Sequence, residues 1–226
     1  MKAVILAAGA PRNLGWFPSE QAKCLYQVDG EIVLSRMVRC LREAGIQDIR
    51  IVVGYYKQNI KRFIEEHGLN LEVVYNPRWK IDAVASLLEG IRGVDDDVLI
   101  IFGDCVIRTK VIKDFLVHQA PLVWIKLKNS PHLPLGGEVE NRVHIVKVAK
   151  EKLGIFDKTY ENMENCMRLH DAYDGISYGT GIALTCGLIE TLRQNGPVGE
   201  VLVYPVMKDI DLYRQTDKGK EHWGIK

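Results

Sequence analysis

KAVILAAGAPRN, residues 2–13, joins a run of aliphatic and β-branched residues to a turn built of small ones. The apolar part, KAVILA (2–7), has the continuous pattern of a strand buried on both faces. The overlapping stretch LAAGAPRN (6–13) reads as the exit of that strand into a loop whose backbone N–H groups can turn inward around phosphate oxygens. Gly9 permits a sharp exit, and Arg12 and Lys23 are cations suited to neutralising a triphosphate. An ordinary strand-to-loop turn carrying two solvated cations accounts for the same residues, so AAG by itself leaves both readings open.

Working outward, the chain alternates. Leu34, Met37, Val38 and Leu41 share one face of a helix that Ala44-Gly45 ends. IRIVVGY (49–55) reads as a strand, IKRFIEEHG (60–68) as a helix, LEVVYN (71–76) as a strand, Ala83 to Ile91 as a helix, and VLIIFGD (98–104) as a strand. Strands and helices alternating at this pace predict a parallel sheet covered on both sides, with ligands outside the carboxyl ends of the strands. Asp104 ends the most apolar of these runs, directly after a glycine. A carboxylate there suits a hard cation such as Mg²⁺, and it equally suits a helix N-cap or a turn.

The second half reads differently. PLVWIKLK (121–128) and RVHIVKVAK (142–150) form an antiparallel pair or neighbouring strands across a Pro- and Gly-bearing loop. Residues 151–175 are polar and irregular. A strand is expected over 176–185, a helix over 186–194, and short final strands at DIDLYRQ and EHWGIK.

Composition narrows the partners. The 226 residues, 47% hydrophobic, suffice for a sizeable core in one domain. Thirty basic and 29 acidic residues leave a net charge of +1, which supplies no field to recruit nucleic acid or anionic lipid. The apolar start is too short to span a bilayer and lacks a signal peptide's basic region, so a cytoplasmic protein is expected. Five scattered cysteines without a CxxC pair support neither a disulfide framework nor a zinc site.

Taken together, MKAVILAAG, Lys23-Cys24-Leu25 followed by VDG, LSRMVRCLREAGIQDIRIVVGY, NPRW, Ala85-Ser86-Leu87 and IIFGD resemble the nucleotidyltransferase family. That family includes sugar-1-phosphate nucleotidylyltransferases and inositol-phosphate and bacterial choline-phosphate cytidylyltransferases. The likeness is ordered over residues 1–107 and thinner from 176 onward. It implies one Rossmann-like three-layer α/β/α domain with a mostly parallel mixed sheet, of the nucleotide-diphospho-sugar transferase type. Residues 1–107 would be its nucleotide-binding half and 108–226 its acceptor-binding half. It further implies attack of an acceptor phosphate oxygen on the α-phosphorus of an NTP, CTP or UTP favoured, with pyrophosphate leaving and Mg²⁺ as cofactor. Residue by residue, the nucleotide loop falls on Leu6, Ala7, Ala8, Gly9 and Arg12. The family lysine falls on Lys23, the base- and ribose-contacting stretch near Asn76 and Ser86, and the metal aspartate on Asp104 after Gly103.

Two departures stand out. The family loop reads AAG-x-G-[ST]-R, and here Pro11, Arg12 and Asn13 occupy its tip. Proline has no N–H, so a phosphate donor is lost, and Arg12 would have to serve from one residue early. The family's second metal acid lies in a motif such as W-x-D-I-D, whereas this chain reads HWGIK, with Gly224 and Lys226 at the acidic positions. Asp209-Ile210-Asp211 offers an alternative register, ranked second because the HWGIK spacing fits better. An active transferase is thus expected, and a nucleotide-binding regulatory protein that has lost turnover is the alternative. A related glycosyltransferase would need a D-x-D, which Gly103-Asp104-Cys105 does not supply.

The acceptor is the least legible part. Trp79, Tyr173, Tyr178 and Trp223, with Asp171 and Asp174, would suit a quaternary ammonium cage, or would simply be core and rim aromatics. A sugar phosphate would instead use donors around Tyr178, Gly179 and Gly181.

Overall fold

The computed structural model describes residues 1–10, 21–80, 83–119, 122–127, 143–154, 156, 200–204 and 208–209. Within them the strands are β1 (Lys2–Ala7), β2 (Gln27–Val28), β3 (Glu31–Ile32), β4 (Ile49–Val53), β5 (Glu72–Tyr75) and β6 (Val98–Phe102). They continue with β7 (Cys105–Val106), β8 (Leu122–Leu127), β9 (Val143–Val148), β10 (Glu200–Tyr204) and β11 (Lys208–Asp209). The α-helices are α1 (Val33–Glu43), α2 (Lys57–Glu66), α3 (Ala83–Ile91) and α4 (Thr109–Leu116).

Seven strands form one sheet in the order β10-β8-β9-β6-β1-β4-β5. β1 runs parallel to both β4 and β6, β4 to β5, and β10 to β8. Only β9 is reversed, antiparallel to β6 and β8, so the sheet is mixed but mostly parallel, as expected.

Alternation along β1 sorts the core into two layers. Ala3 and Ile5 join the cluster that includes Leu34, Met37 and Leu41 of α1, Ile60 and Ile64 of α2, and Ile112 and Phe115 of α4. Val4 and Leu6 face the other way, with Val52, Leu87 of α3, Val146, Val148 and Phe156. Successive strand residues point to opposite faces, so the apolar run Ala3 to Leu6 of β1 requires cover on both sides. Leu34, Met37 and Leu41 are wholly buried, and each such side chain contributes roughly 1.5–3 kcal/mol by leaving water. The helix they serve ends at Gly45, whose φ of 95° suits a residue without a Cβ.

The expected strand over 49–55 stops at Val53 instead. Gly54 and Tyr55 leave the ladder because the Tyr55 N–H donates to the Ala8 carbonyl, 3.1 Å away. The β2–β3 hairpin, strand β7, helix α4 and strand β10 had no counterpart in the sequence reading. The hairpin turns on Asp29 (φ 52°) and Gly30 (φ 81°), both left-handed, as a two-residue Asp-Gly turn demands. The strand expected over 176–185 and the helix over 186–194 lie outside the described residues.

From β1 the chain moves to β4 and β5, then returns through α3 to β6 on the opposite side of β1. The order therefore reverses at β1. In open α/β sheets such a reversal leaves a crevice beyond the carboxyl ends of the strands, where ligands bind.

Candidate nucleotide site

Three strand ends meet at that crevice. β1 delivers Leu6, Ala7, Ala8 and Gly9, β6 delivers Gly103 and Asp104, and β4 delivers Gly54 and Tyr55. The Gly103 N–H donates to the Leu6 carbonyl at 2.9 Å. A Cβ on Gly103 would stand 2.9 Å from that oxygen and 3.0 Å from the Ala7 Cβ, so glycine is what lets β6 close onto β1 just before Asp104. Gly54 is tighter still. Its Cβ would sit 2.4 Å from the Ala8 oxygen and 2.6 Å from the Trp79 Cβ.

Gly9 behaves differently from its sequence reading. Its φ lies outside the left-handed region and a Cβ there meets nothing within 4 Å among the described residues, so the exit from β1 does not depend on a left-handed backbone at glycine. Gly9 is exposed, and no described residue crowds it. The close approaches that shape the site belong to Gly54 and Gly103.

Lys23 opens a 3-10 turn, Lys23–Leu25, whose Cys24 and Leu25 are buried and anchor it. Its ammonium reaches Asp104, with Nζ 3.3 Å from Oδ2. Both side chains are about one-third exposed, at 35% and 27%. The two residues are 81 positions apart in sequence and were singled out separately; the fold brings them together at the crevice. Burial pushes the neighbouring Cys24 thiol up to about 12, with the Asp104 charge acting in the same direction, so Cys24 supplies no thiolate here.

Asn76 and Ser86 are also brought together, each as the other's partner. Asn76 is fully buried, its Nδ2 donates to Ser86 Oγ at 2.9 Å, and its Oδ1 accepts from the Arg78 N–H at 2.8 Å. Its own N–H donates to the Val53 carbonyl at the end of β4. This amide therefore ties segment 76–80 to β4 and α3. Arg78 adds a second tie, its Nη2 lying 3.7 Å from Glu89 on α3.

Trp79 belongs to this nucleotide-side cluster. Its ring meets Tyr55 edge-on at 5.0 Å, and the Lys80 ammonium lies 5.4 Å from it. The other residues of the suggested ammonium cage, Asp171, Tyr173, Asp174, Tyr178 and Trp223, lie outside the described residues, as do Pro11, Arg12, Asn13, Gly179, Gly181, Asp211, Gly224 and Lys226. Asp209 is described by its backbone: β11 pairs antiparallel with β7, and Asp209 lies opposite Cys105, the residue after Asp104. Among the described residues no group of three or more His, Cys, Asp or Glu gathers as a metal cluster.

Gly54 and Tyr55 were missed in the sequence as site residues. The available signal was GYY directly at the end of a buried strand, where a glycine marks close backbone approach.

The model of the MobA-like NTP transferase domain matches residues 3–151. The chain belongs to this family. It is 30% identical over 178 residues to the bifunctional protein GlmU of Hydrogenobaculum sp. (strain Y04AAS1), covering 73% of this chain and 38% of that protein. It is 37% identical over 79 residues to the choline-phosphate cytidylyltransferase of Streptococcus pneumoniae (strain ATCC BAA-255 / R6), covering 35% of this chain and 34% of that one. The chain thus spans little more than a third of the length of these relatives. A solved nucleotidyl transferase from Methanothermobacter thermautotroptrophicus shares the fold with a TM-score of 0.63 at 17% identity, over 99% of this chain and 94% of its own. Among the described residues, no helix is long and apolar enough to cross a membrane.

Proposed function

We propose that this protein is a nucleotidylyltransferase that moves NMP from an NTP, CTP or UTP favoured, onto a phosphorylated small acceptor with release of pyrophosphate. The observation that carries the reading is the Lys23–Asp104 pair at the crevice where β1 and β6 end, beside the exposed backbone of Gly9. A lysine and a carboxylate sharing the rim of a strand-order reversal match what a nucleoside triphosphate and a hard cation need.

In the proposed reaction an acceptor phosphate oxygen forms a bond to the α-phosphorus, and the bridging bond to the β-phosphorus breaks. The bonding electrons leave with pyrophosphate. Such a transfer relies on alignment and charge neutralisation more than on a protein nucleophile. Lys23 exchanges its contact with Asp104 for triphosphate oxygens, and Arg12 is proposed to assist from the loop tip. The hard oxygen donors of Asp104 fit Mg²⁺, and triphosphate oxygens and water would complete the shell. Mg²⁺ bound there would shield the triphosphate's charge. Pairing of β11 beside β7 favours the Asp209-Ile210-Asp211 register over HWGIK, whose acidic positions hold Gly224 and Lys226, as the source of a second carboxylate for that ion.

Asn76 and Ser86 act as the brace of the base- and ribose-binding stretch, because their side-chain hydrogen bonds are already committed to each other and to Arg78. The acceptor is a sugar-1-phosphate, a polyol phosphate or phosphocholine, the last supported by likeness to a choline-phosphate cytidylyltransferase. Tyr178, Gly179 and Gly181 remain its proposed contacts. The seven-stranded sheet draws β1, β4, β5 and β6 from residues 1–107 and β8, β9 and β10 from 108–226, which supports a single domain with a nucleotide half, 1–107, and an acceptor half, 108–226. Cytoplasmic location, with no nucleic-acid or membrane partner, completes the reading. Pro11 in the loop tip favours one alternative: a nucleotide-binding regulatory protein of the same fold, impaired in turnover.

The test is pyrophosphate release from each of four NTPs with Mg²⁺ and a panel of phosphorylated acceptors. Lys23→Ala and Asp104→Ala should each lower kcat/KM by about 100-fold or more, the scale of losing a charge contact to the reacting phosphates. A partly exposed ion pair contributes only about 0–1 kcal/mol, so both variants should fold. Nucleotide binding without turnover across the whole panel would select the regulatory reading, and no nucleotide binding would overturn both.

A further inference from the structure

We infer that Tyr55, seated on Trp79, is the platform against which the base of the bound nucleotide packs. This rests on the nucleotide-binding reading above and adds a residue to it. Tyr55 is the first side chain beyond the carboxyl end of β4, and 51% of it is exposed. Its backbone is bonded to the nucleotide loop itself through the Ala8 carbonyl. β4 and β6 flank β1 on opposite sides, so the strands that lead to Tyr55 and Asp104 lie two strand spacings apart, about 10 Å. That is the scale of a nucleotide from its phosphates to its base. With the phosphates at Lys23 and Asp104, the base extends toward Tyr55.

The platform is rigid. Tyr55 meets the Trp79 ring at 5.0 Å and 69° and the buried Tyr56 ring at 4.6 Å and 87°, edge-to-face arrangements that aromatic quadrupoles favour. Trp79 in turn lies against Gly54, where any side chain would displace it. Its segment is tied to β4 and α3 by Asn76, Ser86, Arg78 and Glu89. An exposed tyrosine with this support loses little conformational freedom on binding. Stacking accepts any base, because every base presents a π-face. Tyr55 therefore supplies affinity to all four nucleotides, and base choice comes from contacts to the base edge.

The experiment is calorimetric titration of the full chain with each NTP and, separately, with inorganic tripolyphosphate, for the wild type, Tyr55→Phe and Tyr55→Ala. Tyr55→Ala should weaken NTP binding roughly 5- to 100-fold, the range seen when a stacked aromatic is truncated, and leave tripolyphosphate unchanged. Tyr55→Phe should match the wild type within about twofold, since it keeps the ring. Equal weakening of NTP and tripolyphosphate would mean that the loop has shifted, and would overturn the inference. So would unchanged NTP binding in Tyr55→Ala, or a Phe variant as weak as the Ala variant. A wild type that binds tripolyphosphate but no NTP would overturn the platform alone, whereas one that binds neither would overturn the nucleotide site with it.

Discussion

Replacing Gly54 by alanine tests how the nucleotide loop is held. The new Cβ would stand 2.4 Å from the Ala8 oxygen, 2.6 Å from the Trp79 Cβ and 2.9 Å from the Ala8 Cβ. None of these is the end of a flexible side chain. The Ala8 carbonyl is fixed by the Tyr55 N–H at 3.1 Å, and Trp79 is fixed by its segment's ties to α3. Overpacking of this kind costs about 1–3 kcal/mol. Alanine also restricts the unfolded chain, which returns about 0.4–1 kcal/mol at a position whose φ it can adopt, as here. The clash wins, and the net loss is about 1–2 kcal/mol, or about 2–8 °C in Tm for a chain of this size. The control is Gly90→Ala on α3, whose Cβ would meet Val4 Cγ1 at 2.5 Å and Val52 Cγ2 at 2.9 Å, inside the core rather than at the loop. Urea denaturation should show both variants destabilised. Calorimetry with an NTP should show weakened binding only in Gly54→Ala, because only there must the Ala8 carbonyl or Trp79 move. Wild-type stability and wild-type NTP affinity in Gly54→Ala would refute the close packing of β4 onto the loop.

Two further outcomes rest on buried and charged contacts. Ser86→Ala removes the acceptor of the fully buried Asn76 amide and should cost about 1–3 kcal/mol, so an unchanged urea midpoint would remove that hydrogen bond from the account. The Arg50 guanidinium, 2.8 Å from Glu72, holds its carboxyl down at about 2 against an ordinary 4.5, with Lys2 acting in the same direction. A depressed carboxyl stabilises the fold above the unfolded value and loses that contribution as pH falls. Stability should therefore decline from about pH 4.5 toward 2, and Glu72→Gln should flatten that slope in urea midpoints measured across the window. An identical slope in the variant would contradict the assignment.

The strand over 2–7, the strand expected over 98–104, which ends two residues earlier at Phe102, and helix 83–91 were legible because each is a continuous apolar run or a strong helical period bounded by small residues. Helix α4 was not, since TKVIKDFL is short and carries only Ile112 and Phe115 as wholly buried anchors. The β2–β3 hairpin was readable from Asp29-Gly30 and was overlooked. Lys23 and Asp104 were legible separately, as a cation and a carboxylate. Their mutual distance was not, because it depends on β6 lying beside β1 rather than beside β5.

The sequence by itself determined the two-sided core of β1, the parallel alternation of strands and helices, and which charged residues stand at strand ends, since these arise from local periodicity. Only the tertiary structure decided that Asn76 and Ser86 are partners, that Gly9 is open while Gly54 and Gly103 are closed, and that Trp79 sits with Tyr55 beside the nucleotide loop. Each of those is a contact between segments brought together by the sheet order, and close approach between distant segments leaves no periodic trace in the chain.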